Sequence, residues 1–168
     1  MIIRPENIFL QKNTIKIGDL GLSINLNEVT SSKDRVLKIK SEKEFDNHMK
    51  LLEESNVNFN LTQSVGTPLY TAPELQEGLI YNKKVDIYAL GLIYFEMLSV
   101  FTTNHQRYQM FTQLKCQNQF QEGFSQKFPI ESGLILKMIE RITAKRLSSK
   151  RIIQSEEFKL LEKEFKME

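Results

Sequence analysis

The chain has 168 residues, which at roughly 100–200 residues per domain allows one domain or one piece of a larger one. Apolar residues make up 40% and charged residues 26%, enough for a packed core and not the composition of a disordered chain. With 23 Lys and Arg against 21 Asp and Glu, the net charge of +2 marks neither a nucleic-acid nor a membrane-surface binder, and a single cysteine with two histidines excludes a disulfide framework and a Cys-rich zinc site.

The opening residues Met-Ile-Ile-Arg-Pro-Glu-Asn lack the charged head and apolar core of a signal peptide. The best apolar run, residues 87–98, falls short of the roughly 18 residues a membrane helix needs and contains Glu96. A reducing, cytoplasmic setting is the expectation. Residues 7–10 and 14–17 read as two short strands about a polar turn, the second alternating with period two. Such a hairpin is not stable alone and must lie on something larger. Residues 25–64 are rich in Ser, Asn, Lys and Glu and read as a solvated insert, within which 40–54 could be helical with Phe45, Met49 and Leu52 on one face.

Residues 82–100 give the strongest helix signal. Asn82 can cap it, and Val85, Leu90, Leu92, Ile93, Phe95, Met97 and Leu98 make it apolar on nearly every face, the pattern of a central buried helix. Asp86 and Gly91 are its odd residues. A helical Gly costs about 1 kcal/mol relative to Ala, so close packing is expected there. Residues 107–115 read as a helix with Tyr108, Phe111 and Leu114 inward. Residues 117–129 read as loop, punctuated by Gly123 and Pro129. Residues 133–143 read as a helix with Leu134, Ile135, Met138, Ile139 and Ile142 inward, and 149–165 as a last helix and a charged tail. The fold class is mainly α with a small β feature at the start.

Three elements carry chemistry together: Arg4-Pro5-Glu6-Asn7, Asp19-Leu20-Gly21, and the run from Gly66 to Glu74 followed by the helix with Asp86 and Gly91. Singly each is a turn or a helix start. In this order they mean more. Asn7 and Asp19 end one short hairpin and would sit close, and paired oxygen donors are what Mg²⁺ bridging nucleotide phosphates requires.

The ordered set resembles the C-terminal lobe of a eukaryotic Ser/Thr protein kinase. The resemblance implies a partial kinase domain over residues 1–168, a helical bundle around a buried central helix, with the insert at 25–64 inside the activation segment. It implies ATP and Mg²⁺ as cofactors, with Asn7 and Asp19 as metal ligands and Leu20 replacing the usual Phe. Arg4 then stands where a phosphate-contacting Lys is usual. Thr67 matches the threonine that contacts the catalytic loop in Ser/Thr kinases, and Glu74 closes the activation segment. Asp86 resembles the buried Asp that accepts catalytic-loop amides, Gly91 the glycine that follows it, and Arg146 the late Arg that pairs with Glu74.

The long insert, the run Tyr81 to Tyr88, the run Phe101 to Arg107 and the following Gln113-Leu114-Lys115 are similar to the kinases of the translation initiation factor 2 alpha subunit. That likeness makes the helix beginning near Arg107 a dock for a protein substrate and Thr62 an activation-loop phosphosite. A phosphate there would add about −1.5 to −2 charge and needs a basic partner. The arginine that usually supplies it is not in the sequence.

The departures are severe. The catalytic Asp should stand two residues before Arg4, where the sequence has Ile2, which cannot accept a proton. No Gly-rich loop, strand Lys or helix Glu of the upper lobe appears. Phosphoryl transfer draws on both lobes, so the expectation is that this chain alone is inactive. The alternative function is a pseudokinase-like binding module that docks a protein partner. Dimerisation through the upstream lobe is a further expectation, and neither nucleic acid nor membrane is expected as a partner. A plain helical domain would leave the motif set as coincidence. Cys116 has no His beside it and is not read as a nucleophile; His48 and His105 read as surface residues.

Overall fold

The computed structural model describes residues 3–12, 14–18, 69–79 and 81–166. The insert at 25–64, the helix expected at 40–54 and His48 lie outside the described residues. A 3-10 turn, Pro5–Asn7, leads into a two-stranded antiparallel sheet, β1 Ile8–Gln11 and β2 Thr14–Ile17. Pro5 starts the turn because its fixed φ suits the first helical position. The strands pair Gln11 with Thr14 across a two-residue loop, and Lys12 takes the left-handed φ of 46° such a tight hairpin loop requires. Of the strand residues only Ile8 packs against the core, while Leu10 is 75% exposed and Ile15 and Ile17 are exposed beside it.

Seven helices follow among the described residues: α1 Pro73–Gln76, α2 Lys84–Leu98, α3 Asn104–Gln117, α4 Phe124–Lys127, α5 Pro129–Met138, α6 Ser149–Gln154 and α7 Glu156–Phe165. The mainly α expectation holds. Asn82 contributes the start of α2, its Oδ1 accepting the Lys84 N–H at 2.8 Å. The helix stops at Leu98, two residues before the expected end, because the Ser99 hydroxyl takes the Phe95 carbonyl at 2.7 Å and the Ser99 backbone turns extended. Val85, Tyr88, Ala89, Leu92, Ile93 and Phe95 are buried, so α2 is the central helix, although Leu90 and Met97 are exposed. Gly91 lies against α5: a Cβ there would sit 2.8 Å from Ile139 Cγ2 and 2.8 Å from Met138 Cβ.

Helix α3 begins three residues before the expected 107. Thr103 caps it by accepting the Gln106 N–H, while Gln106 accepts back from Thr102. It ends on Asn118 in the left-handed conformation, φ 53°, with its N–H on Leu114 O. Met110, Phe111 and Leu114 are its buried side. Tyr108, expected inward, is 59% exposed. At 100° per residue it stands about a quarter turn off the line through 107, 110, 111 and 114.

The expected loop at 117–129 contains α4. Phe120 and Phe124 stack at 4.7 Å, and Phe124 meets Phe95 at 5.4 Å, so aromatic burial orders a stretch whose punctuation reads as coil. Pro129 is the first residue of α5 rather than a breaker. That helix ends at Met138, not 143, because side chains from elsewhere hold the following carbonyls: Arg146 takes those of Glu140 and Arg141, and Lys84 takes those of Thr143 and Ala144. The last helix is two. Ser155 splits it by donating to Ile152 O and capping α7 at the Phe158 N–H. Helices α5, α6 and α7 close a smaller second core of Leu134, Met138, Ile152 and Leu161. No helix among the described residues is long and apolar enough to cross a membrane.

Candidate functional site

The first cluster is built by the hairpin. Asn7 ends the 3-10 turn, its N–H on Arg4 O at 3.0 Å. Its own carbonyl accepts the Gly18 N–H at 2.8 Å, just beyond the end of β2. The two ends of the hairpin are thereby joined, and residue 18 is one peptide from Asp19. Asp19 itself, with Ile2, Thr62 and Thr67, lies outside the described residues. Gly18 faces Phe9: a Cβ there would be 2.6 Å from Phe9 Cε2. Arg4 is exposed at the rim of this cluster. Asn7 brings a hard amide oxygen of the kind Mg²⁺ accepts, one donor of the pair such a site needs. Among the described residues no group of three or more His, Cys, Asp or Glu could hold a metal.

The second cluster is the stretch 69–74 and the basic side chains around it. It has no sheet partner, and tertiary contacts hold it. Arg146 is 0% exposed and Glu74 2% exposed. Their ion pair is bidentate, at 2.6 and 2.9 Å. The remaining guanidinium donors reach Lys84 O, Glu140 O and Arg141 O. The Arg146 guanidinium also lies 4.8 Å from the Tyr88 ring centroid, within cation–π range.

Tyr70 is buried edge-on against Phe111 at 5.8 Å. Its hydroxyl donates to Glu96 Oε2 and accepts from Arg107 Nη2 at 2.6 Å, while Arg107 Nε donates to Glu96 Oε1 at 2.6 Å. Burial, and then the Glu96 carboxylate, push that hydroxyl well above the ordinary tyrosine range. Arg107 therefore turns its guanidinium inward and joins α3 to α2 and Tyr70. Lys115, two turns on, donates to Leu69 O and Thr71 O at 3.3 Å each. Burial pulls its ammonium down to about 8.

Asp86 has an Oδ1 that is buried without a hydrogen-bond partner among the described residues, and burial raises its carboxyl above the usual range. Such an oxygen is an acceptor in search of a donor. Gly91 lies a turn further along the same helix, at the α2–α5 contact described above. The structure thus brings Glu74 and Arg146 together, and Asn7 next to the residue before Asp19. It places Arg107 among Tyr70, Glu96 and Phe111. His105 is exposed.

Sequence reasoning gave no role of their own to Tyr70, Glu96, Lys84, Tyr88 or Lys115, although Lys84, Tyr88 and Lys115 stand in runs that carry the resemblance. Lys115 left a signal: it follows Phe111 by four residues, at the edge of the apolar face of α3. Glu96 left another, as the one carboxylate in the otherwise apolar run 87–98.

A protein-family profile, the protein kinase domain, matches residues 3–158. Among curated proteins, the probable serine/threonine-protein kinase ifkB of Dictyostelium discoideum is 31% identical over 166 residues, covering 91% of this chain and 12% of that protein. The eIF-2-alpha kinase GCN2 of Schizosaccharomyces pombe is 32% identical over 163 residues, 92% of this chain and 9% of its own length. Eukaryotic translation initiation factor 2-alpha kinase 3 of Rattus norvegicus is 30% identical over 161 residues, 95% of this chain and 13% of that protein. The chain thus spans a small fraction of the length of each relative.

Proposed function

The chain belongs to the protein kinase domain family, and we propose that it forms the metal-holding and substrate-docking half of a Ser/Thr kinase of the initiation factor 2 alpha type. The reaction is transfer of the ATP γ-phosphate to a Ser or Thr of a protein. The observation that carries this is the 2.8 Å bond from the Gly18 N–H to Asn7 O, which supports Asn7 and Asp19 acting as one ligand pair. Mg²⁺, when bound, supplies charge neutralisation for the phosphates. Asn7 and Asp19 hold it, and Arg4 offers a positive charge to a phosphate from the rim. Thr67 favours a hydroxyl-bearing Ser or Thr acceptor, and Thr62 is a phosphosite. The docking surface is the outer side of α3, including Tyr108, with Arg107 fixing the helix from within. The setting is cytoplasmic.

The 168 residues alone do not transfer phosphate, because Ile2 occupies the place of the base. Two measurements test this reading. Radiolabelled ATP with initiation factor 2 alpha subunit should give no more incorporation for this chain than for Asp19→Ala. MgATP titrated into the isotope-labelled chain should shift the Asn7 side-chain amide, and the shift should vanish in Asp19→Ala. Incorporation above Asp19→Ala refutes the inactivity; an unmoved Asn7 amide refutes the metal pair. A second reading, a docking module without phosphoryl transfer, is favoured by Ile2. Binding of initiation factor 2 alpha subunit without any MgATP response is its signature.

A further inference from the structure

Residues 69–72 are irregular backbone between residues outside the description and the short helix α1, and no β ladder or long helix fixes them. They are nevertheless buried: Tyr70, Thr71 and Ala72 are all below a tenth exposed. A buried irregular stretch needs donors for its carbonyls, since an unpaired backbone group loses its water without compensation. Lys115 meets that need twice, donating to Leu69 O and to Thr71 O from a single ammonium. Between those carbonyls the Tyr70 side chain is held by Arg107 and Glu96. Both basic residues come from α3. They stand eight residues apart, about 12 Å along the helix axis.

We propose that Lys115 and Arg107 are positioning residues, a two-point hold through which α3 sets the register of residues 69–72. This rests on the reading above only in taking 69–74 as the end of the activation segment and α3 as the substrate dock. On that reading, a protein bound to α3 and the placement of the segment are coupled through these two side chains. Apolar packing alone does not explain Lys115. Its ammonium sits in a site that disfavours charge, and a Met of similar length would fill the space without that cost. What the ammonium adds is donors, and a charge 5.9 Å from the Tyr88 ring centroid. The ring that faces Arg146 is the same one, so the hold on Leu69 and Thr71 and the Glu74–Arg146 pair meet at Tyr88.

Hydrogen exchange of the full chain by mass spectrometry tests the hold. Lys115→Met should speed exchange in peptides covering 69–76 by about tenfold, as expected for losing charge-assisted hydrogen bonds, with α5 and α7 unchanged. Lys115→Arg should restore most of the protection, because a guanidinium can reach both carbonyls. Unchanged exchange at 69–76 in Lys115→Met overturns the proposal. So does an equal rise across α5 and α7 with no rescue by Lys115→Arg. Should Lys115→Met fail to fold, the Nζ–H signal of ¹⁵N-lysine in the native chain decides: a slowly exchanging Lys115 signal supports the hold, and none refutes it. Neither measurement uses nucleotide, so failure of the metal pair leaves this result standing, and the reverse.

Discussion

Removing one partner of the Glu74–Arg146 pair is the most demanding test of how this fold is held. All five guanidinium N–H groups of Arg146 are available as donors. Nη1 and Nη2 grip Glu74 at 2.6 and 2.9 Å, and the carbonyls of Lys84, Glu140 and Arg141 take the others. Arg146→Met would leave a carboxylate that is 2% exposed without its counter-charge and would take one donor from each of three carbonyls. Breaking a buried pair from one side costs about 3–5 kcal/mol. For a domain of this size each kcal/mol moves the thermal midpoint by about 2–4 °C, so the expected fall is about 6–20 °C. Circular-dichroism melts and urea unfolding read both quantities. The double variant Glu74→Leu with Arg146→Met should fall less than the sum of the single losses, because the stranded charge is gone. A single-variant loss below about 1 kcal/mol, or strictly additive losses, would refute the reasoning.

Gly91→Ala should destabilise by about 1–3 kcal/mol despite its better helix propensity, because its Cβ would meet Ile139 and Met138 at 2.8 Å; a raised melting temperature would contradict the close packing of α2 on α5. Tyr88→Phe should be neutral or slightly stabilising, since the Tyr88 hydroxyl is buried with no hydrogen-bond partner among the described residues. Tyr88→Ala, by contrast, should cost about 3–5 kcal/mol by the same melts. Lys115 has its folded pKa lowered by burial from 10.5 to about 8, so the unfolded chain binds more protons between those values. Stability from this group therefore rises as pH climbs from about 8 toward 10.5, and Lys115→Met should flatten the slope in urea titrations. The window closes near its top, because buried Tyr70 and Tyr88 and half-buried Tyr94 have raised folded pKa values, and stability falls once the unfolded tyrosines ionise.

The hairpin, the buried helix and the amphipathic helices were legible because each rests on local pattern. Period two at 14–17, all-round apolarity at 84–98 and a Phe111–Leu114 stripe are properties of neighbouring residues. Boundaries failed where a distant side chain competes for backbone. Residues 139–143 carry helical spacing, yet Arg146 and Lys84 hold carbonyls from 140 to 144, and the helix stops at Met138. Residues 120–128 read as coil because their order comes from Phe124 meeting Phe120, Phe128 and Phe95, the last a contact across sequence. Ser155 was hidden because a serine inside a helical run signals a cap only when its hydroxyl is seen to accept Phe158 N.

The same division holds for the site. Order and identity of residues along the chain were enough to single out Glu74, Arg146 and Gly91, which the packing brings into the buried ion pair and the α2–α5 contact, because motifs are defined by chemistry and spacing; the roles of Asn7, Asp86 and Ile2 belong to the proposed function. Which cations hold the stretch before Glu74 was decided only by tertiary structure. Tyr70, Glu96, Arg107 and Lys115 are far apart in sequence, and only the packing of α3 on α2 gives two of these charges one tyrosine to share and a third two carbonyls to bind.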